Sequence, residues 1–170
     1  MKKINIIFIF LLVFTFESLG QANRISIDSL YKIRNNENFI REIASCDTCL
    51  IDIVEQINNC NEKELVLYLN VLNNLGAFSD GINSEIISSC LFNLFNKFPE
   101  IIIREIYSTN LNNLNSFLLN ELCSAIENKT NKQKAKVDII KCMKHKIAKN
   151  KNKKAFRLFI NQLKKFNCNS

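Results

Sequence analysis

Cys46-Asp47-Thr48-Cys49 is the one spacing in this 170-residue chain that matches a reactive motif. Two cysteines separated by two residues at a helix start form a thiol–disulfide exchange site, because the helix end stabilises the first thiolate. The same spacing supplies half of a tetrahedral zinc site. A thioredoxin-like site sits after a strand in a βαβ setting, and no strand pattern precedes Cys46. Residue 50 is Leu rather than His, which excludes covalent haem attachment. There is no second C-x-x-C to complete a zinc site. The pattern therefore favours a structural bridge over a redox centre at Cys46 and Cys49.

The remaining chemistry-bearing residues are scattered. Cys142 and His145 stand one helical turn apart and could share a metal with Cys168, but the only histidine of the chain sits among lysines that repel cations. A Cys-His nucleophile pair would have to use the same His145. Glu42, Glu55, Glu62, Glu64, Glu100 and Glu105 fall at solvated helical positions, so no carboxylate pair is singled out for glycosidase-type acid–base work. Asn128-Lys129-Thr130 has the form of an N-glycosylation acceptor and reads as a chance match. No catalytic constellation, cofactor site or metal site is expected, and the chain reads as non-catalytic.

The seven cysteines, Cys46, Cys49, Cys60, Cys90, Cys123, Cys142 and Cys168, allow three bridges with one thiol left over. Sequence does not choose the pairing. Cys123 and Cys142 fall on helices expected to form one hairpin, and Cys168 can pin the last helix to an earlier one.

The elements that carry these residues are helical. Three glycines and one proline leave little material for hairpin turns, while Leu, Ile and Phe recur at spacings of three and four. About nine helices are expected: 26–34, 37–44, 48–57 capped by Asp47, and 61–75 ending at Gly76. Further helices are expected over 84–98 capped by Ser84, 99–107 opened by Pro99, 111–128, 133–149 and 153–166. Asn61 and Glu64 have capping-box spacing, Pro99 suits a first helical turn, and Gly76 suits a helix end. The fold class is all-α. Paired segments of this length resemble a HEAT-like or other α-hairpin stack, with an irregular α-bundle as the equal alternative, since no second copy of any phrase recurs at a fixed period. The frequent Asn residues read as compositional bias with local use in caps and turns.

Residues 1–22 read as a signal peptide. Lys2 and Lys3 precede an apolar run from Ile4 to Phe16, and small residues then place cleavage after Gly20 or Ala22. The run is shorter than the roughly 20 residues needed to span a bilayer, so cleavage is expected rather than a retained anchor. The segment resembles a bacterial export signal, which implies a periplasmic or extracellular address where disulfides persist. Residues 23–170 then form a single domain.

Charge is divided along that domain. Residues 21–128 hold seven basic and 14 acidic residues, a net −7, whereas residues 129–170 hold 14 basic residues and Asp138 alone, a net +13. The basic third implies an anionic partner. Lys144, Lys153, Lys154, Arg157, Lys164 and Lys165 are the expected binding surface. A nucleic acid is not expected, because no recognised motif is present and the compartment is wrong. The expected function is a non-catalytic protein-binding scaffold, resembling periplasmic immunity or inhibitor proteins. The alternatives are a membrane-surface protein using the amphipathic basic helix 153–166, and a thiol-disulfide protein using Cys46 and Cys49.

Overall fold

The computed structural model describes residues 26–147 and 153–166. The signal segment 1–22 and Cys168 lie outside the described residues. The fold is all-α. Among the described residues the helices are α1 (Ile27–Ile33), α2 (Glu37–Ala44), α3 (Asp47–Asn58), α4 (Glu62–Gly76), α5 (Gly81–Lys97), α6 (Pro99–Ser108), α7 (Asn112–Glu127), α8 (Lys132–Ile147) and α9 (Lys153–Lys165).

Helices pack on neighbours two or three places along the chain: α2 on α4, α3 on α5, α5 on α7, and α1 on α4 followed by α4 on α7. This is a stack of helices rather than a ring around one axis. Its core is continuous from Leu30 through Leu50, Leu69, Ile87, Phe95 and Leu114 to Phe159, all close to fully buried. Burying a Leu, Ile or Phe side chain contributes about 1.5–3 kcal/mol, so this column is the main source of stability.

The helix ends reveal how the stack is held in register. A helix leaves its first N–H and last C=O groups without internal partners, and glycine commonly closes the C-terminal end in a left-handed turn. Here neighbouring helices supply the missing partners. Asn74 Nδ2 of α4 donates to Arg34 O after α1 at 2.9 Å, and Asn83 Nδ2 of α5 donates to Ala44 O of α2 at 3.0 Å. Lys97 Nζ of α5 donates to Asn58 O of α3 at 3.0 Å. Asn73 Oδ1 of α4 accepts from Asn113 N and Leu114 N at 3.2 and 3.4 Å, capping the start of α7, which has no side-chain cap of its own. All these partners lie 39 to 41 residues apart. The bond from Tyr68 OH to Asp28 Oδ1 spans 40 residues as well. Other cross-helix bonds span 28 to 55 residues, so the offset of about 40 belongs to these α1–α7 joints and is not a fixed repeat. Three of the six bonds end on backbone carbonyls, which need no particular residue, so those joints leave no sequence phrase behind.

Several local expectations are met, and three are corrected. Asn61 and Glu64 form the capping box, and Pro99 opens α6. The cap of α3 is Cys46, whose Sγ accepts from Cys49 N, and Asp47 is the first helical residue rather than the cap. Helix α5 starts at Gly81 behind Asp80. Ser84 lies inside its first turn, donating to Gly81 O at 2.8 Å instead of capping. Gly81 makes the early start workable, because its φ of +45° lies in the left-handed region that favours glycine. Gly76 closes α4 without a left-handed turn. A Cβ there would stand 2.6 Å from Phe117 Cε2, so any side chain at 76 would force the Phe117 ring to shift between α4 and α7.

Helix α9 packs on α6. Phe159 is fully buried, with ring centroids 6.1 Å from Phe95 and 6.4 Å from Tyr107. Helix α8 touches α7 and α9 and buries Met143, with Ile139 and Ile140 partly covered.

Candidate functional site

Cys46 and Cys49 are joined to each other across the first turn of α3. Cys46 Sγ accepts from Cys49 N at 3.3 Å and lies 3.6 Å from Thr48 Oγ1. No lysine, arginine or histidine contacts either sulfur among the described residues, and the preceding element is the helix α2 rather than a strand. The helix start is the only activating feature, so the geometry suits a covalent staple at the α2–α3 corner.

The other described cysteines divide by environment. Cys123 is disulfide-bonded. Cys60, Cys90 and Cys142 are free, half-buried, buried and exposed respectively. A Cys123–Cys142 bridge across the α7–α8 hairpin is therefore corrected: Cys123 is bonded elsewhere, and Cys142 is a free, exposed thiol. Cys142 and His145 are both exposed on that helix, and no group of three metal-ligating side chains occurs among the described residues.

Cys60, in the turn after α3, and Cys90, on α5, both lie beside Asn58. Asn58, the last residue of α3, receives Cys90 Sγ on its side-chain oxygen at 3.6 Å and Lys97 Nζ on its carbonyl at 3.0 Å. Cys60 follows two residues later, its N–H bonded to Ile57 O at 3.1 Å. Burial pushes the Cys90 thiol up to about 12, nearby Cys60 adds to the rise, and Lys97 opposes it. Cys60 is raised by its own burial and then by Glu64, again against Lys97.

The basic surface is carried by α8 and α9. Lys136 Nζ donates to Lys164 O and Phe166 O at 3.2 and 3.1 Å, closing the C-terminal end of α9 and setting the two helices side by side. Lys144, Lys153, Lys154, Arg157, Lys164 and Lys165 are all exposed. Spacings of three and four place Lys134, Val137, Lys141 and Lys144 on one face of α8, and Lys154, Arg157, Leu158 and Lys165 on one face of α9. Val137 and Leu158 are 58% and 43% exposed, so each basic stripe carries one apolar residue open to solvent. Arg41–Glu37 and Arg104–Glu105 are ion pairs between described side chains, and neither uses a described side chain of α8 or α9.

The opposite side of α9 is engaged. Ala155, Phe156, Phe159, Ile160 and Leu163 are buried. Gln162 Oε1 lies 2.5 Å from the Tyr107 hydroxyl and accepts from Asn115 Nδ2 at 2.9 Å, while the same hydroxyl lies 2.8 Å from Asn115 Oδ1. Burial raises Tyr107 to about 12. No single helix among the described residues is long and apolar enough to cross a membrane.

Sequence reasoning missed a groove of about 720 Å³ where α4, α5 and α6 meet, lined among others by Lys63, Lys97, Phe98, Glu100, Ile101 and Arg104. The signal was the Phe98-Pro99 junction, which turns α6 by 119° from α5 and leaves space beneath the corner. Its lysines and arginine are offset by Glu62 and Glu100, and Lys97 and Arg104 already hold bonds to Asn58 and Glu105. No family model, curated protein or solved structure matches this chain.

Proposed function

We propose that the chain is an exported, non-catalytic binding protein whose α8–α9 surface engages an acidic protein partner. The observation that supports this reading is the exposed basic face on Lys144, Lys153, Lys154, Arg157, Lys164 and Lys165, none of which forms an ion pair among the described residues, with Asp138 the one acidic residue on the two helices. Unneutralised charge of one sign raises the association rate of an oppositely charged partner and fixes its orientation. Val137 and Leu158 add apolar contact within the two stripes, the kind of desolvated centre from which binding energy comes. The stack of α1–α7 would hold this face rigid, so little ordering entropy is lost on docking.

The same geometry weighs against the membrane-surface alternative. Insertion of 153–166 would require Phe156, Phe159, Ile160 and Leu163 to leave the core, against a burial gain of about 1.5–3 kcal/mol for each large side chain. The test is capture from an envelope fraction with immobilised protein. A specific partner is expected to bind, to elute as salt rises, and to be lost on charge reversal at Lys144 and Arg157. Recovery of no partner, or of one indifferent to both changes, defeats the reading. Co-sedimentation with anionic vesicles that disappears on deletion of 153–170 would favour the membrane alternative instead.

A further inference from the structure

We propose that Cys60 and Cys90 form a third disulfide site, closed by thiol–disulfide exchange with a small-molecule disulfide such as oxidised glutathione. The inference rests on the cluster around Asn58 and is independent of the charged surface. Asn58 holds the Cys90 thiol on its side chain and Lys97 on its carbonyl, and Cys60 follows two residues on in the same chain turn. Asn58 thus places the Cys90 thiol and the Lys97 ammonium group beside the turn that carries Cys60.

The two cysteines have unequal access, which orders the reaction. Cys60 is half-buried and Cys90 is buried. The Cys60 thiol gives its proton to solvent, and its sulfur attacks one sulfur of oxidised glutathione. That step forms a mixed disulfide and releases one glutathione thiolate, which is protonated by water. Cys90 then loses its proton and attacks the Cys60 sulfur, releasing the second glutathione. Two protein thiols and one glutathione disulfide become one protein disulfide and two glutathione thiols, so electrons and protons balance. Lys97 stabilises each thiolate as it forms, offsetting the burial that raises both groups. High thiol pKa values make both sulfurs poor leaving groups, so the closed bridge resists reopening.

The bridge would tie the α3–α4 corner to the middle of α5 and enclose all of α4 in one covalent loop. It also completes the cysteine arithmetic: with Cys46 joined to Cys49 and Cys123 already bonded, Cys142 remains as the odd, exposed thiol. Oxidation removes the S–H donor from Asn58 Oδ1, at the edge of a groove lined by Ile51, Ile82 and Ile86.

The test uses the folded full chain with Cys60 and Cys90 reduced, incubated in oxidised glutathione, quenched with N-ethylmaleimide and mapped by mass spectrometry. A peptide joining Cys60 to Cys90 is expected, with a rise of several degrees in melting temperature. Cys142 is expected to carry glutathione or alkyl label. Cys90→Ser, checked for native helicity, is expected to trap glutathione on Cys60. Lys97→Gln is expected to slow closure several-fold and Lys97→Arg to restore it. Persistent glutathione on Cys60 of the unmodified sequence, or alkylation of both cysteines after Cys142 has reacted, overturns the proposal.

Discussion

Residues 26–128 and residues 129–166 use polar side chains in opposite ways. In the first region Asn73, Asn74, Asn83 and Lys97 turn inward along the stack, each spent on a helix end of a neighbouring layer. In the second, Lys132, Lys134, Lys141 and Lys144 of α8 and the lysines of α9 are exposed, while Lys136 closes a helix end. The difference teaches which parts answer for stability and which for recognition. A buried helix end without a partner costs about 1–3 kcal/mol, so the inward groups are structural necessities. An exposed lysine contributes little to folding, and its cost in self-repulsion is offset only when a partner arrives.

Phe159→Ala breaks the joint between the two regions and carries the largest expected effect. It removes the ring between Phe95 and Tyr107, and a buried Phe→Ala change costs about 3–5 kcal/mol. Denaturant unfolding should record that loss, and native-state hydrogen exchange should show α9 released first. Gly76→Ala attacks the stack instead. Its new Cβ meets the Phe117 ring, and overpacking of this kind costs about 1–3 kcal/mol. Adding Phe117→Leu should return part of the loss, and a strictly additive pair would mean that the contact is not the cause.

The capping side chains sharpen the comparison further. Asn73→Ala uncaps α7 and is expected to cost about 1–2 kcal/mol by chemical denaturation. Asn83→Ala should cost less, although it frees the Ala44 carbonyl. The side-chain oxygen of Asn83 is buried with no hydrogen-bond partner, and the substitution removes that penalty as well. The smallest effect is at high pH. The Tyr107 pKa is raised to about 12 in the folded state, so its contribution is full below the unfolded value near 10 and is lost as pH rises towards 12. Tyr107→Phe should flatten the stability curve over that window, and an unchanged slope would remove Tyr107 as its source.

The fold was legible where the signal is local. The Asn61–Glu64 box, Pro99 and the three-and-four spacing of Leu and Ile needed only near neighbours, and they placed most helices within a few residues. What was hidden depends on contacts about 40 residues away. Asn74 and Asn83 look like any other Asn in an Asn-rich chain, because their partners are backbone carbonyls. Gly76 has the residue type of a terminator and does end α4, whereas its contact with Phe117 on another helix has no local signal. Ser84 has the residue type of a cap, and Gly81 pre-empts it by starting the helix a turn earlier. The charge division along the chain was plain in the sequence. That the apolar side of α9 is buried while Val137 and Leu158 stay exposed required the packing of α9 on α6.

Partner capture by the Lys144→Glu/Arg157→Glu/Lys164→Glu variant tests the division most directly, at a temperature well below its melting point. The account predicts that capture from the envelope fraction is lost while the melting temperature stays within about 2 °C of the unmodified protein, as for exposed substitutions, and that Asn73→Ala shows the reverse. Capture that survives the triple reversal would contradict it.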